Sequence, residues 1–213
     1  MLRDKAEADV QETIEANAKE PHEAGTAGQK VADFYKAFLD TDAIEAKGLD
    51  PAKADLGLIA EAETLDDIAA IMATPGLPGG PLGMSPGIDS KDPNKYIVDI
   101  SQSGIGLPER EYYLKDDKQF QDIRAAYVAY AAKMLTMAGY ADPQKNAEAI
   151  LALETEIAKD SWEIARRRDP VAMYNPKTRA ELAAFAPEYP WDVSAETLGI
   201  PNFDRYNVNE SDA

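Results

Sequence analysis

Gly106-Leu107-Pro108-Glu109-Arg110-Glu111-Tyr112-Tyr113-Leu114 is the stretch that decides the fold. Gly104 and Gly106 permit the backbone angles of a sharp reversal. Pro108 fixes its own φ and biases Leu107 toward extended geometry. Tyr112 and Tyr113 carry large apolar rings whose hydroxyls need partners if buried. Taken alone, these residues describe a structural corner with an extended segment before it and helix after it.

Upstream of the corner, Tyr96, Val98 and Ile100 alternate with Ile97, Asp99 and Ser101, the period of a half-buried strand. Residues 75 to 93 are dense in Gly and Pro, which excludes helix there, and a partner strand is expected near Leu82 to Ile88. Downstream, Phe120, Ile123, Tyr127, Tyr130, Met134 and Met137 step by three or four, so a long helix is predicted, stopping at Gly139. Asp142-Pro143 predicts the next start, with Asp as cap. That helix is expected to run to about Arg166 with Ala147, Ile150, Leu151, Ile157, Ala158 and Ser161 inward. Glu154 falls on the inward stripe, and Arg166, Arg167 or Arg168 are the expected partners of its carboxylate. Thr178-x-x-Glu181 spells a capping box, and a last helix is expected near Val193 to Leu198.

Nearer the amino terminus, Leu2, Ala6, Val10, Ile14 and Ala18 lay an apolar stripe on a helix over 2–19. A second helix, about 27 to 39, carries Val31, Phe34, Tyr35 and Phe38. Gly48 reads as a helix stop, Asp50-Pro51 as a start, and Thr64-x-x-Asp67 as a capping box. No cap precedes Leu2 and residues 209–213 carry no closing element, so an incomplete lobe is expected. The fold class predicted is mainly α, amphipathic helices with one short extended or β-hairpin segment around 82–103.

The 213 residues carry a formal net charge of -17, from 22 Lys+Arg against 39 Asp+Glu. Such a surface repels phosphate backbones and anionic membranes, so no nucleic-acid partner is expected. There is no cysteine, which removes disulfides, thiolate nucleophiles and Cys-based metal sites. No stretch approaches the ~20 apolar residues of a membrane span, and the charged start Met1-Leu2-Arg3-Asp4-Lys5 is not a signal peptide.

Chemistry-bearing patterns are few. A hydrolytic zinc site needs about three His or carboxylate ligands. His22 is the single histidine, and His22-Glu23-Ala24-Gly25-Thr26 begins like His-Glu-x-x-His but ends in Thr, in a Pro/Gly loop. A Ser-His-Asp triad would need the same His22, and no Gly-x-Ser-x-Gly elbow exists. Gly79-Gly80 opens no phosphate loop, and Lys91 spoils the calcium-loop spacing of 89–92. Tyr112, Tyr113, Tyr127 and Tyr130 are expected in core packing rather than along a groove. Catalytic, cofactor-binding and metal-binding positions are therefore expected to be absent from this chain.

The corner also carries a resemblance. Gln102 followed by GLPEREYYL resembles the Gln-x-x-x-Gly-Leu-Pro-x-Arg-Asp-Tyr-Tyr signature of the neprilysin-like zinc metallopeptidases, with Glu111 where the family has Asp. Gly106, Leu107, Pro108, Arg110, Tyr112 and Tyr113 are the matched positions. Further similar blocks are Leu2-Arg3-Asp4, Gln29-Lys30-Val31-x-x-Phe34-Tyr35, Asp42 with Ile44-Glu45-x-x-Gly48, and Asp89-x-Lys91-Asp92. Leu153-Glu154-x-Glu156-Ile157-Ala158, Arg168-Asp169-Pro170 and Tyr174-Asn175-x-x-Thr178 continue the likeness.

The resemblance covers nearly all of 1–213 and implies the amino-terminal helical region of a longer enzyme. Helices are expected over 1–74, a Gly/Pro-rich loop and strand over 75–103, and the corner with further helices over 104–213. It implies a substrate-enclosing lobe of a zinc metalloendopeptidase acting on short peptides, inactive by itself. Its catalytic domain, with the zinc ion and the His-Glu-x-x-His motif, would be the carboxy-terminal partner. No catalytic or zinc-binding position of the family carries over onto this chain. The alternative is a stand-alone helical scaffold or peptide-binding module. The resemblance favours a periplasmic or exported setting and leaves a cytoplasmic one open.

Overall fold

The computed structural model describes residues 2–200 and 203–213, without the Leu2 side chain. The chain divides into two compact units, 1–53 and 54–213.

In the first unit, α1 (Leu2–Lys19) packs on α2 (Ala27–Leu39). Thr26 caps α2 by accepting the Gln29 N–H. α3 (Thr41–Lys47) starts at Asp40, whose carboxylate accepts the Ala43 N–H, and ends at Gly48. Asp50–Ala52 form a 3-10 turn that closes this unit, and α4 (Lys53–Glu61) belongs, from Ala54 on, to the second. The apolar stripes are only partly covered. Ala6 and Val10 are exposed while Ile14 and Ala18 are half-buried. On α2, Ala32 is the buried residue; Phe34 and Phe38 stack on each other, ring centroids 6.4 Å apart, at 75% and 68% exposure.

The second unit is built on a sheet. α5 (Leu65–Ala73) opens with the expected capping box, Thr64 and Asp67 exchanging side-chain and backbone bonds. β1 (Leu82–Ile88) and β2 (Tyr96–Gln102) pair antiparallel, Leu82 opposite Gln102 and Ile88 opposite Tyr96. The corner then leads through α6 (Glu111–Leu114) into α7 (Lys118–Met137) and α8 (Pro143–Asp160), which pack together. β3 (Pro176–Thr178), α9 (Arg179–Phe185), α10 (Trp191–Thr197) and β4 (Arg205–Val208) complete the unit. The expected second capping box, Thr178 with Glu181, opens α9.

The sheet order is β1-β2-β4-β3, with β4 parallel to β2 and antiparallel to β3. Val98 and Ile100 of β2 and Tyr206 and Val208 of β4 share one face and pack on Leu182, Trp191, Ala195 and Ile200. Leu182 is fully buried, which stabilises by about 1.5–3 kcal/mol. A second cluster, Leu107, Tyr113 and Ala158, is backed by Ile105, Ile123, Tyr127 and Leu151.

The mainly helical class and the hairpin stand as expected; four details differ. The sheet has two strands beyond the single extended segment expected, because β3 and β4 add to the hairpin. Residues 205–213 are consequently ordered into the fold rather than left without a closing element. α8 ends at Asp160 rather than near Arg166: Trp162 N–H donates to the Gln102 side chain, and Arg166–Arg168 form a separate 3-10 turn. Asp142 is left-handed (φ 49°) and caps with its backbone, its carbonyl accepting the Asn146 N–H, instead of its side chain.

Candidate functional site

The corner positions its residues through one carboxylate. Gly104 has φ 77°, and a Cβ there would lie 2.6 Å from the Gly80 carbonyl carbon, so only glycine fits. The chain then turns so that the buried Leu107 N–H donates to the Tyr113 hydroxyl (2.8 Å). That hydroxyl donates to Glu154 Oε2 (2.8 Å), and the Tyr127 hydroxyl donates to Glu154 Oε1 (2.9 Å). Gly106 N–H donates to the same Oε1 at 3.3 Å. Tyr127 comes so close that a Cβ on residue 106 would collide with its hydroxyl. Glu154 on α8 thus gathers α7 and the corner. Its partners are tyrosines and not the expected arginines, because Arg166 and Arg167 are turned toward residues 209–213.

Burial pushes both phenols up: Tyr113 well above the ordinary tyrosine range, reinforced by Glu154, and Tyr127 to about 12, where Glu154 again adds to the effect. Both rings therefore remain protonated donors at neutral pH. Arg110 sends Nε to the Ala158 carbonyl (3.1 Å) and Nη1 to Glu163 (3.3 Å) and Glu111 (3.4 Å). Tyr112 packs edge-on against Phe120 at 5.1 Å, and its carbonyl accepts from Arg124 (2.7 Å). Tyr113 and Tyr127 lie in packed surroundings as expected, whereas Tyr130 is 60% exposed. All six signature residues lie at this corner. Beside it is a cleft of about 450 Å³ lined by Arg110, Glu111, Trp162, Glu163, Ile164 and Arg167.

Two further networks anchor the blocks around the corner. Buried Asp89 accepts the Lys91 N–H (2.9 Å), the Tyr174 hydroxyl (3.0 Å) and Arg205 Nη2 (2.5 Å). The Lys91 amide, and then Arg205, hold its carboxyl down at about 2. This ties the turn before β2 to β4. Glu210, also buried, accepts Gln102 N–H (2.9 Å) and Arg167 Nε (2.8 Å). Asp212 accepts Trp162 Nε1 (2.7 Å) and Arg166 Nη2 (2.9 Å), and Arg166 lies over the Trp162 ring at 3.3 Å. These long-range pairs were not readable from spacing; the one sequence signal was the place of Asp89, Tyr174 and Arg166–Arg168 in or beside the quoted blocks.

At the corner the arrangement holds backbone in place through Glu154, Tyr113 and Arg110. The residues present do not fit a zinc ion. His22 Nε2 donates to the Asn17 carbonyl at 2.7 Å, within the first unit. Among the described residues no three His, Cys, Asp or Glu side chains converge enough to share a metal. Ser101 Oγ is bonded to the Asn209 side chain (2.6 Å), and Ser161 Oγ donates to the Ile157 carbonyl. Among the described residues, no helix is long and apolar enough to cross a membrane.

Set beside known proteins, residues 1–213 match the amino-terminal model of Peptidase family M13 along their whole length. Human endothelin-converting enzyme-like 1 is 27% identical over 193 residues, 78% of this chain and 24% of that protein. Human endothelin-converting enzyme 1 is 31% identical over 127 residues, 58% of this chain and 16% of that protein. Among solved structures, the Mycobacterium tuberculosis zinc metalloprotease Zmp1 in complex with an inhibitor superposes with a TM-score of 0.82 at 32% identity. That match covers 98% of this chain and 33% of Zmp1. The chain thus spans about a quarter of its first curated relative and a third of this solved one.

Proposed function

The chain belongs to the neprilysin-like peptidase family M13, matching its amino-terminal region, and from that premise we propose that it is the substrate-enclosing helical part of a zinc metalloendopeptidase that hydrolyses short peptides. In this reading the chain is inactive by itself. The zinc ion and the reacting groups belong to a carboxy-terminal catalytic region, and peptides are the substrates of the whole.

The observation that carries the proposal is the likeness to Zmp1 over 98% of the chain, joined to a corner where Tyr113, Arg110 and Glu154 each bond to backbone. A wall that shapes a chamber needs rigid anchoring of long-range segments, which Glu154, Asp89 and Glu210 supply, and needs no titrating base of its own. Zinc would supply Lewis-acid polarisation of the scissile carbonyl in the complete enzyme.

The test is to express the chain alone and together with a carboxy-terminal M13 catalytic region, and to assay a quenched fluorescent peptide. Zinc-dependent cleavage that appears only when both are present supports the proposal. Cleavage by this chain alone, or no complex between the two, overturns it.

A further inference from the structure

β1 is an edge strand whose outer side has no partner among the described residues. Ser103 N–H donates to the Pro81 carbonyl (2.8 Å) and Asp89 N–H to the Lys95 carbonyl (2.9 Å), so odd-numbered residues of β1 bond to β2. The even-numbered ones, Leu82, Met84, Pro86 and Ile88, point their main-chain groups away from the sheet. Proline, lacking an N–H, stands at one of these free positions.

On the core face of the sheet, Leu82 and Met84 pack against the main cluster. There the edge borders a hollow of about 230 Å³ lined by Leu77, Gly79, Leu82, Met84, Tyr189 and Leu198. On the opposite face, β1 shows only Gly83, Ser85 and Gly87, so its backbone is bare. Ser85 sits opposite Asp99 of β2. Asp99 Oδ1 accepts from Asn207 Nδ2 (3.0 Å), while Oδ2 accepts no hydrogen bond among the described residues and comes within 3.2 Å of where a Cβ on Gly87 would be. A strand laid on the free edge would stand about 10 Å from β2. A lysine on it opposite Ser85 would cross the bare glycine backbone and reach that carboxylate on its four-carbon stem.

We propose that the free edge of β1 is a strand-addition site for an extended basic-apolar peptide, with a Lys or Arg over Gly83 and Gly87 toward Asp99 and an apolar side chain in the hollow beside Met84. Main-chain bonds from Leu82, Met84 and Ile88 supply affinity, and the two faces supply selectivity. The chain's charge of -17 favours a cationic ligand. The site is complete within residues 72–103 and 189–198 and stands independently of the peptidase reading.

The probe is the blocked peptide acetyl-Thr-Leu-Lys-Leu-Thr-amide, titrated into the full 213-residue chain and followed by amide NMR. Expected are saturable shifts along the edge and slowed exchange at the Met84 and Ile88 amides, weakening with salt. Replacing the peptide lysine by norleucine should weaken binding about three- to fivefold and remove the salt dependence, and N-methylating both leucines should abolish it. No saturable binding in the millimolar range, or equal binding of the N-methylated or norleucine peptide, overturns the proposal; neither comparison alters the protein.

Discussion

Tyr113→Phe removes one oxygen and strands one donor. The Leu107 N–H bonds only to that hydroxyl, and Leu107 is 8% exposed, so the change leaves a buried donor with no partner. Glu154 loses one of two phenolic donors but keeps Tyr127 and the Gly106 N–H. An orphaned buried donor costs about 1–3 kcal/mol and a hydrogen bond to a charged group contributes about 1.5–3, the latter reduced because Glu154 is half-buried, so the expected loss is about 2–3 kcal/mol. Tyr127→Phe removes a similar bond to Glu154 without stranding a backbone donor, so about 1.5 kcal/mol is expected. Because both hydroxyls serve one carboxylate, the double variant should depart from additivity by about 0.5–1 kcal/mol. Urea unfolding followed by tryptophan fluorescence is the assay, since Trp162 and Trp191 both lie in the second unit. With a slope of about 2 kcal/mol/M, the Tyr113→Phe midpoint should fall by about 1–1.5 M. A Tyr113→Phe variant within about 0.5 kcal/mol of wild type, or one less costly than Tyr127→Phe, refutes the reasoning.

Leu182→Ala, at a fully buried site under the sheet, should cost about 2–5 kcal/mol in the same assay, and a loss under about 1 would place the core elsewhere. Gly106→Ala drives a Cβ into the Tyr127 hydroxyl; it should cost about 1–3 kcal/mol, with Tyr127→Phe partly relieving it, and an absence of relief would contradict the contact. Asp89 has a carboxyl pKa lowered on folding from 3.8 to about 2, so its charged form is favoured by the fold. Its contribution is fully present above about pH 4 and is lost as pH falls through about 2; Asp89→Asn should flatten the acid-unfolding slope in that window, and an unchanged slope would remove Asp89 from the network.

Signals that close within a few residues were legible in the sequence. Both capping boxes were, because Thr64 with Asp67 and Thr178 with Glu181 satisfy each other across three residues. The β1–β2 hairpin was, because alternation and the Gly/Pro run mark it locally. β4 was not: Tyr206 and Val208 alternate with Arg205 and Asn207 over only four residues, and the partner, β2, lies more than a hundred positions earlier. At the corner, glycine and proline announced the turn, but which side chain would meet Glu154 depended on how α7 and α8 cross. The arginine run was a natural guess by charge, yet α8 stops at Asp160 and turns Arg166 and Arg167 toward Asp212 and Glu210. On α2, helical spacing put Val31, Phe34, Tyr35 and Phe38 on one stripe, and Phe34 and Phe38 are exposed. Spacing reports which residues share a face, and only the packing partner decides whether that face is covered.

The most direct test is the zinc content of this chain alone after gel filtration from zinc-containing buffer. A chain whose single imidazole is bonded to the Asn17 carbonyl should leave the column without stoichiometric metal. One tightly held zinc ion per chain would contradict it.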